Sequence, residues 1–295
     1  MEWYIFALLA PAFWAMNNVF MKYLITNKFK SYYSTIATVS FIDAAFAVIV
    51  GLWINVEVSF PYTGVALLAG LLPFTAFWFY SKAILTEEVS RVATLFQLIP
   101  LFVALLSVVF LNEILEVQQY IGIGLVILAA TLVSYRKSLG RTFSGVLKFM
   151  TPFALLIAAY TIIDKYLLGF MEFWSVFFWN VNGTFCGTLL LLFSSNLRRK
   201  WKTTILAVGK RVVLTTVVGE GLYVTGTVCS LVALSLIEAP LASSFFALQP
   251  FYVFFYVLCL SLLFPRILKE EIGRTALALK VSAIVLMLVG TLLIV

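Results

Sequence analysis

Histidine does not occur anywhere in this 295-residue sequence, and cysteine occurs only three times. The missing histidine excludes imidazole proton relays, histidine metal ligands and catalytic triads that use histidine as their base. The cysteines, Cys186, Cys229 and Cys259, lie at separations that match no zinc site or disulfide framework. The sequence also has no P-loop, so we do not expect the chain to use ATP directly. We therefore expect neither an enzyme nor a bound cofactor.

Charge is scarce as well. Charged residues make up only 11% of the chain, whereas hydrophobic residues make up 63% and the mean hydropathy is +1.08. Soluble proteins carry about 25% charged residues. The apolar runs are continuous and about 20 residues long, which is the length that crosses a bilayer core as a helix. We predict an all-α polytopic membrane protein with ten transmembrane helices, at residues 3–24, 32–54, 61–85, 91–111, 117–135, 149–168, 172–193, 211–236, 240–264 and 275–295.

One long stretch of the sequence occurs twice. The segment that starts at Glu88 returns at Glu238, and the same shift of 150 residues pairs Pro100 with Pro250. A structural unit used twice accounts for this similarity. Because each unit would contain five spans, an odd number, the second would enter the membrane in the opposite direction, as inverted repeats do. The two predicted repeats are residues 1–144 and 145–295.

Basic residues are distributed unevenly. Nearly all of them lie in or beside the connections that follow spans 1, 3, 5, 7 and 9, and by the positive-inside rule these connections face the cytoplasm. We therefore expect a multi-pass protein of the plasma membrane with both termini outside the cytoplasm. The net charge of +7 then favours membrane lipids, and not nucleic acid, as partners. The basic stretch 194–211 is predicted to be a loop beside anionic headgroups.

The first span is unusually polar for a membrane helix. Trp14, Asn18 and Lys22 recur every four residues and share one face, with Asn17 next to them. Lipid cannot satisfy their polar atoms, so this face should turn toward protein or a water-filled cavity. At a shift of 143 residues, Asn17 corresponds to Tyr160 in the sixth span. Two interpretations stay open: the asparagines bond neighbouring helices, or they contact a bound solute.

Two spans carry an acid inside the membrane. Asp43 lies at the middle of span 2, where an ionised carboxylate costs roughly 2.5 to 3.5 kcal/mol, so it needs a partner or a proton. It belongs either to a structural pair or to a transport path. In span 8, Thr216, Glu220, Tyr223 and Thr227 follow helical spacing and form one polar stripe with glycines around it. Such a stripe is what a path for a solute through lipid requires, and Glu220 is the leading site candidate.

Three further side chains are weaker candidates. Trp78 could line a pocket, although a single aromatic ring more often packs or anchors at the membrane interface. Gln97 and Gln249 each lie shortly before a proline, Pro100 or Pro250. A proline removes one helix hydrogen bond, so spans 4 and 9 are expected to bend there.

Spans 6 and 7 carry polar residues to which we assign structural roles. Asp164 and Lys165 end span 6 and are predicted to form an ion pair near the outer surface. Asn180, Thr184 and Thr188 form one stripe in span 7, and small or hydroxylated residues of this kind permit close contact between helices. We therefore predict packing, not binding, for this stripe.

Three features of the sequence occur together: the hairpin from Pro100 to Glu113, the Gly122 that follows it, and a ninth span with a proline at its centre. The sequence resembles EamA-type transporters of the drug/metabolite transporter (DMT) superfamily. The resemblance implies export or exchange of a small metabolite, such as an amino acid or a related amphipathic compound. It also implies a central cavity between two five-helix halves that work by alternating access.

Three functions are compared on this basis. A secondary transporter for a small-molecule substrate fits the duplicated, polar-lined design. An intramembrane enzyme would need a nucleophile with a base, or a metal, and no such cluster is evident. A receptor or scaffold would not require a polar-lined core. The residues predicted to contact the solute are Trp14, Asn17, Asn18, Asp43, Trp78, Gln97, Tyr160, Glu220, Tyr223 and Gln249.

Overall fold

The computed structural model describes residues 3–29, 31–87, 89–110, 116–134 and 145–263, with short pieces between 278 and 293. Within these ranges the regular elements are helices, and none is a strand. The hairpin acid Glu113, the predicted repeat boundary at residue 144 and most of the tenth predicted span lie outside the described residues. The α-helices are α1 (Trp3–Tyr23), α2 (Tyr32–Trp53), α3 (Tyr62–Ala69), α4 (Leu71–Thr86), α5 (Val89–Thr94), α6 (Leu98–Phe110), α7 (Val117–Ser134), α8 (Leu147–Leu167), α9 (Phe173–Leu192), α10 (Ser195–Leu236), α11 (Ala239–Phe246) and α12 (Gln249–Leu263).

Apolar helices long enough to cross a bilayer confirm the predicted class, a multi-pass helical membrane protein. Predicted spans 4, 5 and 9 fall on α5 with α6, on α7, and on α11 with α12. Large apolar side chains face outward on many helices, as lipid requires; Trp53 is 86% exposed, for example. Within the described ranges, six stretches meet the length and hydropathy needed to span: Trp3–Phe29, Tyr33–Trp53, Tyr62–Thr86, Leu147–Leu167, Phe173–Leu192 and Ser195–Leu236.

Spans 4 and 9 are each broken in two, as the prolines predict. A short 3₁₀ turn at Leu95–Gln97 separates α5 from α6, and Ala247 ends α11 just before α12 begins. Pro100 and Pro250 both lie in the first turn of the second piece. A proline fits there because the first backbone N–H groups of a helix have no partner within the helix.

A lysine of the first span caps the end of the third. Lys22 donates hydrogen bonds from its ammonium group to the carbonyl oxygens of Ile84 and Glu87, the latter at 2.7 Å. These carbonyls belong to the last turn and C-cap of α4, where backbone oxygens lack partners within the helix and the helix dipole favours a positive charge. The contact therefore holds α1 against the junction between spans 3 and 4.

The same contact occurs again later in the chain. Lys165 of α8 donates to the carbonyl oxygens of Leu234 at 2.9 Å and Ile237 at 2.6 Å, at the end of α10. Lys165, for which an ion pair with Asp164 was predicted, thus donates to backbone carbonyls at the end of α10. In both places a lysine at the end of one span caps the helix two spans further on.

The basic stretch predicted to be a loop is helical. Residues 195–208 form the first part of α10, and the chain then turns at Gly209, whose φ of 76° suits glycine because it has no Cβ. Trp201 fixes this part to α2: its indole N–H donates to Thr38 at 3.1 Å and its ring stacks on Phe41. This part of α10 thus packs against the N-terminal half of α2.

A close crossing joins α9 to the junction of α3 and α4. A Cβ on Gly70 would overlap the carbonyl oxygen of Asn180, and a Cβ on Gly183 would overlap that of Leu67. Thr184 donates to the Gly70 carbonyl at 2.7 Å across this crossing. The packing role predicted for the hydroxyl residues of span 7 is confirmed at Thr184.

Candidate functional site

A cavity of about 230 Å³ lies where the long helices meet. Its walls come from α1, α2, α4 and α6 and from α8 to α12, so segments on both sides of residue 144 contribute. Most of the lining is apolar, and ten aromatic side chains take part, Phe74 and Phe177 among them. The volume lies below the roughly 300 to 1,000 Å³ of pockets for drug-sized ligands, so it suits a small metabolite.

The structure brings eight of the ten sequence-predicted site residues to this cavity. Trp78 lies outside it, and the Lys82 ammonium is 3.6 Å from the centroid of its ring. The side chain of Gln97 lies outside the described residues. The eight residues that line the cavity are Trp14, Asn17, Asn18, Asp43, Tyr160, Glu220, Tyr223 and Gln249.

Asp43 and Glu220 form the centre of the site. They come from α2 and α10, are 5% and 1% exposed, and both line the cavity, with the two carboxyl groups in close contact. An ionised carboxylate only accepts hydrogen bonds, so this contact becomes a hydrogen bond only when one of the two groups carries a proton. The amide of Asn17 also contacts Glu220. No lysine or arginine of the described residues lines the cavity to neutralise the pair.

Glycines beside the polar stripe of α10 allow α1 to approach closely. A Cβ on Gly226 would come within 2.8 Å of the Trp14 ring, and one on Gly219 within 3.3 Å of Phe20. Trp14 also donates to the Thr227 hydroxyl at 3.3 Å. The glycines of span 8 therefore bring the polar face of α1 next to the stripe.

A second cluster of polar side chains, centred on Asp164, lines the same cavity. Asp164 is only 2% exposed, and so the predicted surface position is wrong. Asn180 donates from its amide nitrogen to Asp164 Oδ1 at 2.7 Å and to the Tyr160 hydroxyl at 3.1 Å. Asn180 thus joins α9 to α8, where a role in helix packing alone was predicted.

Tyr80 positions an asparagine of the first span. Its hydroxyl donates to Asn18 Oδ1 at 3.0 Å, and its ring packs beside Phe96 and Phe153 at 5.9 Å from each. Residues two apart on an α-helix point roughly 200° apart, which explains why Tyr80 faces the cavity and Trp78 does not.

Several buried polar atoms around the cavity have no hydrogen-bond donor or acceptor within the described part of the chain. Most are oxygens, which accept hydrogen bonds. Buried polar groups in proteins are normally paired, so a set of unpaired acceptors facing one cavity indicates a site for a ligand with donors. The lining atoms of this kind are Asn17 Oδ1, Asn18 Nδ2, Asp43 Oδ1, Asn180 Oδ1 and Glu220 Oε1.

Residues 1–135 match the EamA-like transporter family, within the DMT superfamily. The match covers 135 of the 295 residues. The resemblance expected from the proline hairpin is confirmed, and members of the family are membrane transporters, not enzymes. No curated protein sequence matches this chain.

A solved crystal structure of a protein shares the fold of this chain. The two are 16% identical, the match covers 99% of this chain and 97% of the other, and the TM-score is 0.67. At this identity the likeness concerns the fold alone. It does extend beyond the family match, over the second half of the chain.

The residues of the site that were not predicted from the sequence include Asp164, Asn180 and Tyr80. Asp164 follows Tyr160 by four residues and so shares its helix face, which is a signal that could have placed both on the cavity. For Tyr80 the sequence offered no comparable signal, because its partner Asn18 lies on another helix.

Proposed function

We propose that this EamA-like chain is a secondary transporter of a small metabolite, which it exports or exchanges across the plasma membrane. One observation carries the proposal: a cavity inside the membrane-spanning helices is lined by buried polar groups from both parts of the chain. A helix bundle that served only as a scaffold would gain nothing from buried carboxyl groups, since each is costly in lipid.

The two parts would be inverted five-helix repeats, residues 1–144 and 145–295. The two lysine caps support this division, because Lys22 and Lys165 make the same contact with the helix two spans further on. The break in span 4 and the break in span 9 support it also. A repeat with five spans reverses its direction in the membrane, which would leave both termini outside the cytoplasm.

Alternating access is the mechanism that such a duplicated fold allows. One repeat would rock against the other so that the cavity opens first to one side of the membrane and then to the other. The broken spans 4 and 9 are the natural places for bending, because their backbone hydrogen bonds are already interrupted. A solute held at the cavity would thus change sides without a continuous pore.

Reconstitution into liposomes tests this proposal. The purified protein is mixed with labelled amino acids, nucleosides and amines, and uptake is followed with and without the same solute inside. We expect saturable uptake of at least one solute, accelerated by unlabelled solute on the opposite side. Thr161→Trp, which fills the cavity from α8, should abolish uptake, whereas Thr225→Trp on the exposed face of α10 should not.

Equal uptake by Thr161→Trp and the unchanged protein would contradict the assigned cavity. Absence of uptake for every solute, together with turnover of a lipid by the purified protein, would favour an intramembrane enzyme. The uptake by a variant is interpreted only if that variant elutes as a single species in size-exclusion chromatography and keeps its helical circular dichroism.

A further inference from the structure

The charge of the cavity lining restricts the kind of solute it can accept. Three carboxyl groups line it, Asp43, Asp164 and Glu220, and no basic residue of the described chain does. The nearest lysines, Lys22 and Lys165, direct their ammonium groups to backbone carbonyls at helix ends. An anionic solute would therefore enter a buried site in which no basic side chain of the described residues offsets its charge, which is strongly unfavourable.

Hydrogen-bonding capacity restricts the solute further. Four buried oxygens around the cavity have no donor among the described residues: Asn17 Oδ1, Asn180 Oδ1, Asp43 Oδ1 and Glu220 Oε1. The amide nitrogen of Asn180 donates to Asp164 and Tyr160, which leaves its oxygen as the free acceptor. The site thus offers acceptors, and its complement is a group that carries several donors, as an ammonium group does with three.

We propose that the cavity selects small solutes with a protonated amine, and that the ammonium group takes the place of a proton between Asp43 and Glu220. This proposal names the substrate class of the transporter proposed above and rests on it. The apolar part of the solute would lie against the aromatic wall formed by Tyr80, Phe96 and Phe153, which stands next to Glu220. Aromatic faces also attract cations.

The exchange is balanced in charge. With one proton between them, Asp43 and Glu220 together carry a charge of −1, and that proton allows one carboxyl group to donate a hydrogen bond to the other. When an ammonium group binds, the proton leaves to solvent, and two carboxylates with one cation again carry −1. The ionisable groups that face the pair from the surrounding helices are Tyr80 on α4, Tyr160 and Asp164 on α8, and Tyr223 on α10. None of these adds a positive charge.

A series of compounds with one aromatic body and different head groups tests the selection. The probes are 2-phenylethylamine, 2-phenylethanol and 3-phenylpropionate, added to the purified protein in detergent while its thermal unfolding is recorded. We expect only the amine to raise the apparent Tm, because a ligand that binds the folded state stabilises it. Stabilisation by the alcohol or the carboxylate to the same extent would overturn the proposal.

The pH dependence of binding tests the displaced proton without any substitution. If one proton leaves when one amine binds, the Kd for 2-phenylethylamine should rise about tenfold for each unit by which pH falls, over the range in which the pair holds the proton. A Kd that does not change between pH 5 and 8 would overturn the exchange. In liposomes the matching expectation is amine uptake driven by a pH gradient and unaffected by the membrane potential.

Substitutions test whether Asp43 and Glu220 are the residues through which the amine stabilises the protein. Asp43→Asn and Glu220→Gln should each abolish stabilisation by the amine, whereas Glu238→Gln, at an exposed glutamate just after α10, should leave it intact. Amine binding that survives both cavity substitutions would place the amine elsewhere.

The binding and uptake measurements together distinguish a wrong substrate class from a wrong assignment as a transporter. Binding of the amine without uptake would contradict transport and leave the substrate class standing. Uptake of the neutral or anionic probe would contradict the substrate class and leave transport standing.

Discussion

Two of the three acids in the cavity are held by asparagine amides, and no basic residue of the described chain lines the cavity beside them. Asn17 contacts Glu220, and Asn180 donates to Asp164. Amide donors stabilise a carboxyl group without cancelling its charge, so the acids keep their capacity to bind a proton or a cation. A pair with lysine would have removed that capacity. The lysines nearby bind backbone carbonyls, and the acids of the cavity are therefore available for exchange.

Substitution of Asn180 tests the network around Asp164. Asn180→Leu removes the amide donor for both Asp164 Oδ1 and the Tyr160 hydroxyl, so that only the contact between Tyr160 and Asp164 remains of this buried network. An unpaired buried group costs about 1 to 3 kcal/mol, so we expect a clear fall in the apparent Tm of the detergent-solubilised protein. Asn182→Leu is the matched control, because Asn182 bonds only to the Phe178 carbonyl of its own helix. Equal losses for the two variants would argue against the network.

At the scale of helices, the same arrangement occurs twice: a broken span follows a helix whose C-terminal carbonyls bind a lysine. The C-caps after α4 and α10 adopt nearly the same backbone conformation, with φ of −135° at Glu87 and −138° at Ile237. In each case a lysine from two spans earlier binds the last carbonyls, and a short helix then begins the next span. A cation at these ends stabilises the turn, because it satisfies backbone oxygens that face no water.

Removal of each lysine should have a similar effect on stability. Lys22→Met and Lys165→Met each leave two carbonyl oxygens without this donor, and we expect each to lower the stability of folding by about 1 to 3 kcal/mol. Lys28→Met is the control, since Lys28 is exposed and its ammonium lies over the Tyr23 ring. The measurement is the apparent Tm of the three variants in the same detergent. A loss confined to one of the two cap lysines would contradict their equivalence.

The crossing of α9 with the junction of α3 and α4 tolerates no side chain. Gly70→Ala would force Cβ into the backbone of α9, and overpacking of this kind costs about 1 to 3 kcal/mol or more. Gly64→Ala, in the same segment, meets nothing within 4 Å and should be neutral or stabilising by about 0.5 to 1 kcal/mol. We expect opposite shifts of the apparent Tm from the same chemical change. Similar shifts would show that the helices do not cross at Gly70.

At the scale of the whole molecule, the cavity depends on both parts of the chain. Asp43 from α2 and Glu220 from α10 lie 177 positions apart in the sequence and meet only because the helices of the two parts pack together. A solute bound between them would therefore be sensitive to any movement of one part against the other. This arrangement is what alternating access requires.

The proposed orientation in the membrane makes a prediction about accessibility. Cysteine is introduced at Glu172, before α9, or at Asn196, at the start of α10, in a variant that lacks the three native cysteines. On intact cells a membrane-impermeant thiol reagent should label Glu172→Cys and not Asn196→Cys, because the basic stretch at Asn196 should face the cytoplasm. Permeabilised cells provide the control, where both should react. The reverse pattern would overturn the orientation.

The sequence by itself determined the class of the protein, its apolar helices and most of the polar faces that reach the cavity. These follow from composition and from spacing along one helix, as for the stripe that contains Glu220 and Tyr223. Only the tertiary structure decided which groups pair: Asp43 with Glu220, Asp164 with Asn180, and Lys165 with backbone carbonyls. The physical reason is that helical spacing defines a face but does not specify which distant helix packs against it, nor at what rotation and depth.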